Sequence, residues 1–268
     1  MRDRIKWLLF PGVNLHGRLR NEVLPQHFAR PDAERPKRVL DAGCGNGMLA
    51  YQSYKLGNEV TGLSIKQGEV ERNSRLFHQY LGESPERLKF RVQNLYELDD
   101  LEGPFDEIIC TEVLEHIRDD AKVAASFFRL LAPGGTLHVT TPNADHPYHA
   151  SFPLDPDETG GHVRPGYTEQ TYRELFEPLG FEVESPIGLG GRMRQAVNNR
   201  IIRGEERFGY PAALAVFLAG GLLAKLDGPE PDVPFSWYVK VRKPSDVTTN
   251  SPSNVATATP PELAGASA

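Results

Sequence analysis

Val39-Leu40-Asp41-Ala42-Gly43-Cys44-Gly45-Asn46-Gly47 is the stretch that decides the fold. Arg38 to Asp41 is apolar and β-branched enough for a strand, three glycines at alternate positions follow it, and Met48 to Leu56 carries a helical pattern. A glycine-rich turn between strand and helix lets backbone approach a ligand and aims the helix N-terminus at its anionic part. The spacing is Gly-x-Gly-x-Gly, without the third glycine of the dinucleotide fingerprint Gly-x-Gly-x-x-Gly, and Ser64 stands where an acid would hold a ribose. NAD is therefore disfavoured, and a tight turn that serves packing alone is the remaining alternative.

Working outward, the same alternation repeats. Strands are predicted over Glu59 to Leu63, Leu88 to Val92, Phe105 to Cys110, Thr136 to Thr140, Phe181 to Glu184 and Phe235 to Val241. Helices are predicted over Gln67 to Leu81, Asp119 to Leu131 and Thr168 to Leu179. Val123, Phe127, Leu130 and Leu131 share one face of the second of these helices, an Asp pair opens it, and Pro133-Gly134-Gly135 stops it. Strands alternating with helices imply βαβ units and an α/β fold, here a doubly wound, mostly parallel, seven-stranded Rossmann-like sheet covered on both faces.

The chain is organised around that core. Residues 1–36 form an N-terminal, helical, substrate-side segment; 37–185 form the core; 186–234 are a helical insertion; 235–244 return as the last strand; and 245–268 read as a disordered tail, rich in Ser, Thr, Pro and Ala. The formal charge of −6 argues against a general nucleic-acid coat. Two cysteines, Cys44 and Cys110, build neither a disulfide framework nor a metal cluster, so a reducing cytoplasm is the expected compartment. The basic and apolar start of the chain stops at Pro11 without a cleavage site, and the longest charge-free apolar run, Ala212 to Ala224, is too short to span a bilayer. Neither a secretory signal nor a transmembrane helix is expected.

VLDAGCGNG (39–47), FDEIICTEVLEHI (105–117), LLAPGGTLHVTTPN (130–143) and YTEQTYRELFEPLGFEV (167–183) together resemble class I S-adenosylmethionine-dependent methyltransferases. The Glu-Val-Leu-Glu-His form of the second motif is similar to that of ubiquinone-pathway O-methyltransferases and their small-molecule relatives. The resemblance implies that Asp41, Gly43, Gly45 and Gly47 face the methionine part of the cofactor, with Cys44, Leu95 and Thr111 also against it. Ser64 occupies the usual ribose-acid position, so Gln67 or Glu69, on the next helical turn, is expected to take that duty. Asn94 stands at the usual acidic position beside the adenine amine. The alternative for each of these polar residues is ordinary capping and turn chemistry.

Methyl transfer from a sulfonium needs no covalent nucleophile, but a hydroxyl acceptor must lose its proton to a base or have its pKa lowered by a metal. If residues 112–116 turn helically, Glu112, Glu115 and His116 project to one side. The resemblance, here extending to small-RNA methyltransferases, adds His162 as a further ligand, giving two oxygen and two nitrogen donors for Mg, Mn or Zn. The rival is a metal-free site with His116 as general base and Glu112 and Glu115 as its orienting and capping partners, and a purely structural cluster is the third possibility. His146 and His149 are expected in a solvated loop.

The insertion carries Arg192, Arg194, Arg200, Arg203 and Arg207 ahead of its apolar run. It is a lid over the substrate pocket, an amphipathic patch that rests through residues 186–226 on anionic lipid at the inner face of a membrane or takes a lipid-linked substrate, or a core-capping helix with a solvated basic face. Trp7, Phe10, His16, Arg18 and Arg20 are expected to form a second wall of the pocket. The function these observations imply is methyl transfer to a hydroxyl of a quinone-like, sugar or secondary-metabolite acceptor, without a nucleic-acid partner. Nitrogen or carbon transfer, RNA 2′-hydroxyl methylation and a non-catalytic cofactor-binding protein are the alternatives.

Overall fold

The computed structural model describes residues 14–32, 35–228 and 231–245. Trp7, Phe10 and the expected tail beyond Ser245 lie outside the described residues. Five parallel strands, β1 (Arg38–Ala42), β2 (Glu59–Ser64), β3 (Leu88–Val92), β4 (Phe105–Thr111) and β5 (Leu131–Pro142), are followed by the short β6 (Glu182–Val183) and β7 (Ile187–Leu189) and by β8 (Ser236–Arg242). Their order across the sheet is β3-β2-β1-β4-β5-β8-β6, with β7 also on β8, and β8 alone runs antiparallel to its neighbours β5, β6 and β7.

The sheet thus has eight strands rather than the expected seven, for a local reason. Both β6 and β7 pair with the same edge of β8, at Val241–Arg242 and at Ser236–Tyr238. Between them lies Ser185-Pro186, and a proline has no N–H to give to a ladder, so one edge strand is divided in two. At the other end of the sheet centre, β5 begins five residues earlier than predicted because Leu131 pairs with Phe105 across an irregularity before the regular register resumes at Thr136.

Alternate residues of the central strands feed two cores, as a two-residue period requires. Leu40 and Ile108 face α4 (Asp120–Leu130, preceded in order by α1, Leu15–Val23; α2, Met48–Lys55; and α3, Gln67–Ser74), while Val39 and Ile109 pack with Leu49 and Ala50 of α2. After the four-residue α5 (Pro147–Ala150), α6 (Glu169–Phe176) adds Tyr172 and Phe176 to the α4 side. The insertion is two helices, α7 (Arg192–Phe208) and α8 (Tyr210–Gly220), whose Val197, Ile201, Ala213 and Phe217 enclose Leu15 of α1 in a third, smaller core. One buried polar chain crosses the sheet: His138 bridges Glu107 and Tyr238, each at 2.7 Å, and Glu107 also accepts from the Ala29 backbone N–H. The strand order reverses between β1 and β4, which places the crevice for a ligand at the carboxyl ends of those two strands.

Candidate active site

At that crevice two cavities of about 590 and 510 Å³ meet, sharing Gly43, Gly45 and Glu112 as walls. The glycine turn that divides them is pinned by the Gly43 and Cys44 backbone N–H groups, both donating to the Leu63 carbonyl at 3.0 and 2.7 Å. Gly45 has φ +49°, and a Cβ built on it meets nothing within 4 Å, so its missing side chain is open cavity. Gly43 is different: a Cβ there would stand 2.4 Å from Val113. Gly47 lines neither cavity and packs under Phe77 and Phe90 at the start of α2.

The larger cavity is walled by Asp41 and Thr111 from the sheet, by Cys44 of the glycine turn, by Gly17, Arg18, Arg20 and Asn21 of α1, and by Phe217 of α8. The buried Asp41 carboxylate accepts from the Ala50 N–H of α2 at 3.1 Å, and desolvation raises its pKa to about 7. His16, expected on the same wall, is directed elsewhere: it bonds Gln195 at 2.6 Å, stacks on Phe235 and is held neutral by burial, with its pKa lowered to about 3.

The second cavity carries Leu63, Ser64, Ile65, Glu69, Asn94, Leu95 and Tyr96. Ser64 donates its hydroxyl to Glu69 at 2.7 Å, so the carboxylate absent from the end of β2 reaches the cavity from the first turn of α3. Gln67 points away and donates to Glu71 at 2.8 Å. The Asn94 amide oxygen accepts from the Tyr96 N–H at 3.0 Å, while Ile65, two-thirds exposed, offers an apolar flank. A nucleoside would find a carboxylate, an amide and an apolar wall here, and an amino-acid portion would find the Asp41 carboxylate next door. Ile65, Phe217 and Tyr96 were not foreseen; an exposed isoleucine directly after β2 was the one local signal.

Beyond Thr111 the chain turns sharply at Glu112, whose φ of +53° is left-handed and unusual for a side chain with a Cβ. Its carboxylate is shared between Arg20 of α1 at 3.2 Å and the Thr140 hydroxyl at 3.1 Å. A single 3-10 turn, Leu114–His116, then delivers Glu115 and His116. Glu115, His116 and His162 bring their ligating atoms within 4.8 Å of one another; Glu112 is not part of that group. His116 Nδ1 donates to the Gly161 carbonyl at 2.7 Å, which leaves Nε2 as the lone-pair nitrogen, 3.9 Å from Glu115 Oε1. Glu115 is almost wholly buried, and burial, aided by the Glu112 charge, holds its carboxyl well above the usual range. Burial lowers the His162 pKa, and the neighbouring His116 lowers it further. Glu115 Oε2 and His162 Nδ1 are buried with no hydrogen-bond partner among the described residues, as atoms awaiting a ligand would be.

The His162 loop is organised from within. Asp155 accepts from the Thr159 N–H and hydroxyl, both at 2.7 Å, and from the Gly161 N–H at 3.0 Å, and its own N–H donates to the His162 carbonyl. His146 and His149 differ from the expected solvated loop. Both are buried, because Phe235 at the entry to β8 packs against them with ring centroids at 5.3 and 4.4 Å. His149 Nδ1 donates to the Asn143 carbonyl and His146 caps the Tyr148 N–H.

A family profile described as "Methyltransferase domain" matches residues 15–185, which hold both cavities' sheet walls and the Glu115–His116–His162 group. This chain belongs to the class I S-adenosylmethionine-dependent methyltransferases. Among curated proteins, a "Ubiquinone biosynthesis O-methyltransferase" of Xanthomonas campestris pv. campestris (strain B100) is 38% identical over 124 residues, 46% of this chain and 50% of that one. The chain thus spans about half the length of the curated relatives it matches. Among solved structures, a phosphoethanolamine N-methyltransferase 2 of Haemonchus contortus in complex with S-adenosyl-L-methionine superposes with a TM-score of 0.58 at 17% identity, covering 84% of this chain and 52% of that one. The [4+2]-cyclase SpnF superposes equally well, with a TM-score of 0.58 at 21% identity over 84% of this chain and 80% of that one. The methyltransferase fold is therefore shared with a protein named for a different reaction, and the site must carry the functional argument.

Proposed function

We propose that this methyltransferase transfers the S-adenosylmethionine methyl group to a hydroxyl of a small-molecule acceptor, quinone-like, sugar or secondary-metabolite, at a site that holds a divalent cation on Glu115, His116 and His162. The observation that carries the reading is the convergence of those three side chains beside the cofactor crevice, with Glu115 Oε2 and His162 Nδ1 buried and without a hydrogen-bond partner among the described residues. A carboxylate and two imidazoles suit zinc, and also manganese or magnesium with water completing the shell. When bound, the cation lowers the acceptor hydroxyl's pKa and the cofactor supplies the methyl group.

The protein's own part is positional. Glu69, oriented by Ser64, accepts from ribose hydroxyls; Asn94 and Ile65 receive the base; Asp41 faces the methionine ammonium; and Gly45 leaves room for the chain between them. The Gly161 carbonyl fixes His116 in the tautomer with an available Nε2. Arg20 and Phe217 roof the methionine side, excluding water from the line of transfer. The hydroxyl preference is supported by the relative named as an O-methyltransferase, 38% identical over 124 residues.

A second reading follows from the same tautomer: Nε2 of His116 can itself take the acceptor's proton, with no cation. Production of S-adenosylhomocysteine across catechol, sugar and amine acceptors, after exhaustive chelation and after return of Mg, Mn or Zn, separates the readings. The cation reading expects activity lost on chelation and restored by one metal, with His162→Ala inactive. Activity that survives chelation leaves His116 as base, and no product with any acceptor points to a binding protein of this fold.

A further inference from the structure

We propose that the α7–α8 insertion docks this protein on an anionic lipid bilayer, with the outer face of α8 inserted among the acyl chains at the interface and the arginines of α7 on the headgroups. The insertion lies outside the segment matched by the family profile, so this surface belongs to the chain's own elaboration.

From Pro211 to Gly220, α8 carries no polar side chain, yet only one side of it is covered. Ala213, Phe217 and Gly220 face α7, where a Cβ on Gly220 would stand 2.2 Å from Val197. Pro211, Ala215, Leu218 and Leu222 follow at intervals of four, three and four, hence on one face, and all four are exposed. Leu222 is 73% exposed and Leu218 58%, and Leu223 and Leu226, on the following 3-10 turn, extend the surface together with Phe208 at the α7–α8 corner. A helix that is apolar all round and half uncovered is unfavourable in water.

Charge selects the occupant. On α7, Gly204 faces α8, and Arg200, Arg203 and Arg207 fall at i, i+3 and i+7 on the adjoining flank, all exposed; Lys225 stands among the exposed leucines. The exposed acids on these elements are Glu205 and Glu206, since Asp227 is committed to the Gly191, Met193 and Arg194 N–H groups at the start of α7. Within a chain of net charge −6, arginines gathered around a leucine face give that surface a local attraction for anionic headgroups. Docking in this pose would leave Phe217, on the opposite side of α8, against the cofactor cavity. No helix among the described residues is long and apolar enough to cross a membrane, so the contact is peripheral.

The test is co-sedimentation of the full chain with vesicles of phosphatidylcholine alone and with about one-third phosphatidylglycerol, at low and high salt. Binding is expected only to the anionic vesicles and to fall with salt. Arg200→Gln, Arg203→Gln and Arg207→Gln should each weaken it about five-fold, roughly a hundred-fold together. The double variant Leu218→Glu, Leu222→Glu should abolish it while thermal stability and S-adenosylhomocysteine affinity stay at wild-type values, because both side chains are exposed. Equal binding to neutral vesicles, or none to either, overturns the proposal. So does a dimer in gel filtration that the leucine variants dissolve, which would assign the face to a second copy.

Discussion

Replacing Asp41 with asparagine should flatten part of the pH dependence of stability in the cofactor-free protein. The side chain is fully buried, its one hydrogen bond comes from the Ala50 N–H, and an asparagine oxygen can keep that bond. Desolvation raises the carboxyl from its ordinary 3.8 to about 7. The unfolded chain therefore releases the proton first, and folded stability declines as pH rises from the lower value to the higher, then levels off. Of that window, the part above about pH 5.5 covers about 1.5 pH units, so wild type loses about 2 kcal/mol at this one residue on going to about pH 8. The asparagine variant has no such loss. Urea denaturation of both proteins at the two pH values measures it: the difference between variant and wild type should grow by about 2 kcal/mol in the variant's favour on moving to the higher pH. Parallel pH profiles, or a variant that falls further behind at high pH, would refute the reasoning. The cofactor's ammonium, placed beside Asp41, should reverse the sign for the complex, so calorimetry in buffers of different ionisation enthalpy should show proton release on binding to wild type and none to the variant.

Gly45→Val combines a left-handed backbone that a β-branched residue resists with a side chain projecting into open cavity; S-adenosylhomocysteine affinity should drop more than about a hundred-fold by calorimetry, with little change in fold by circular dichroism. Glu69→Gln should weaken cofactor binding about ten-fold or more, whereas Gln67→Ala should leave it unchanged, a contrast that fluorescence titration can read.

Much of the fold was legible because the central strands and helices are periodic and bounded by glycine and proline. Arg38, Glu59, Leu88 and Phe105 begin strands where the pattern begins. The divided edge strand was not legible, since Ile187-Gly188-Leu189 is too short to show a period and owes its pairing to β8 some fifty residues on. The site divided in the same way. The glycine turn and the Glu-x-x-Glu-His run are local in sequence, and spacing placed them. What directs Glu112 to Arg20, or buries His146 and His149 under Phe235, is tertiary contact across about ninety residues, invisible to any window. Likewise the choice between Gln67 and Glu69 turned on the direction of a helical turn, which only the Ser64 hydroxyl resolves.

The division of the edge strand at Pro186 has a consequence for how such proteins diversify. Leu189 pairs with Ser236, and the Phe235 N–H donates to the Gly190 carbonyl at 2.7 Å, so the excursion through α7 and α8 departs from and rejoins the sheet across one ladder rung. Topologically it is a hairpin loop grown to some forty residues. Because the entropy of closing a loop rises only with the logarithm of its length, exchanging this cassette for a tight turn or another module would cost the sheet little. The surface that meets the roof of the cofactor cavity can then be replaced wholesale while the strands that carry Asp41 and Glu115 stay as they are.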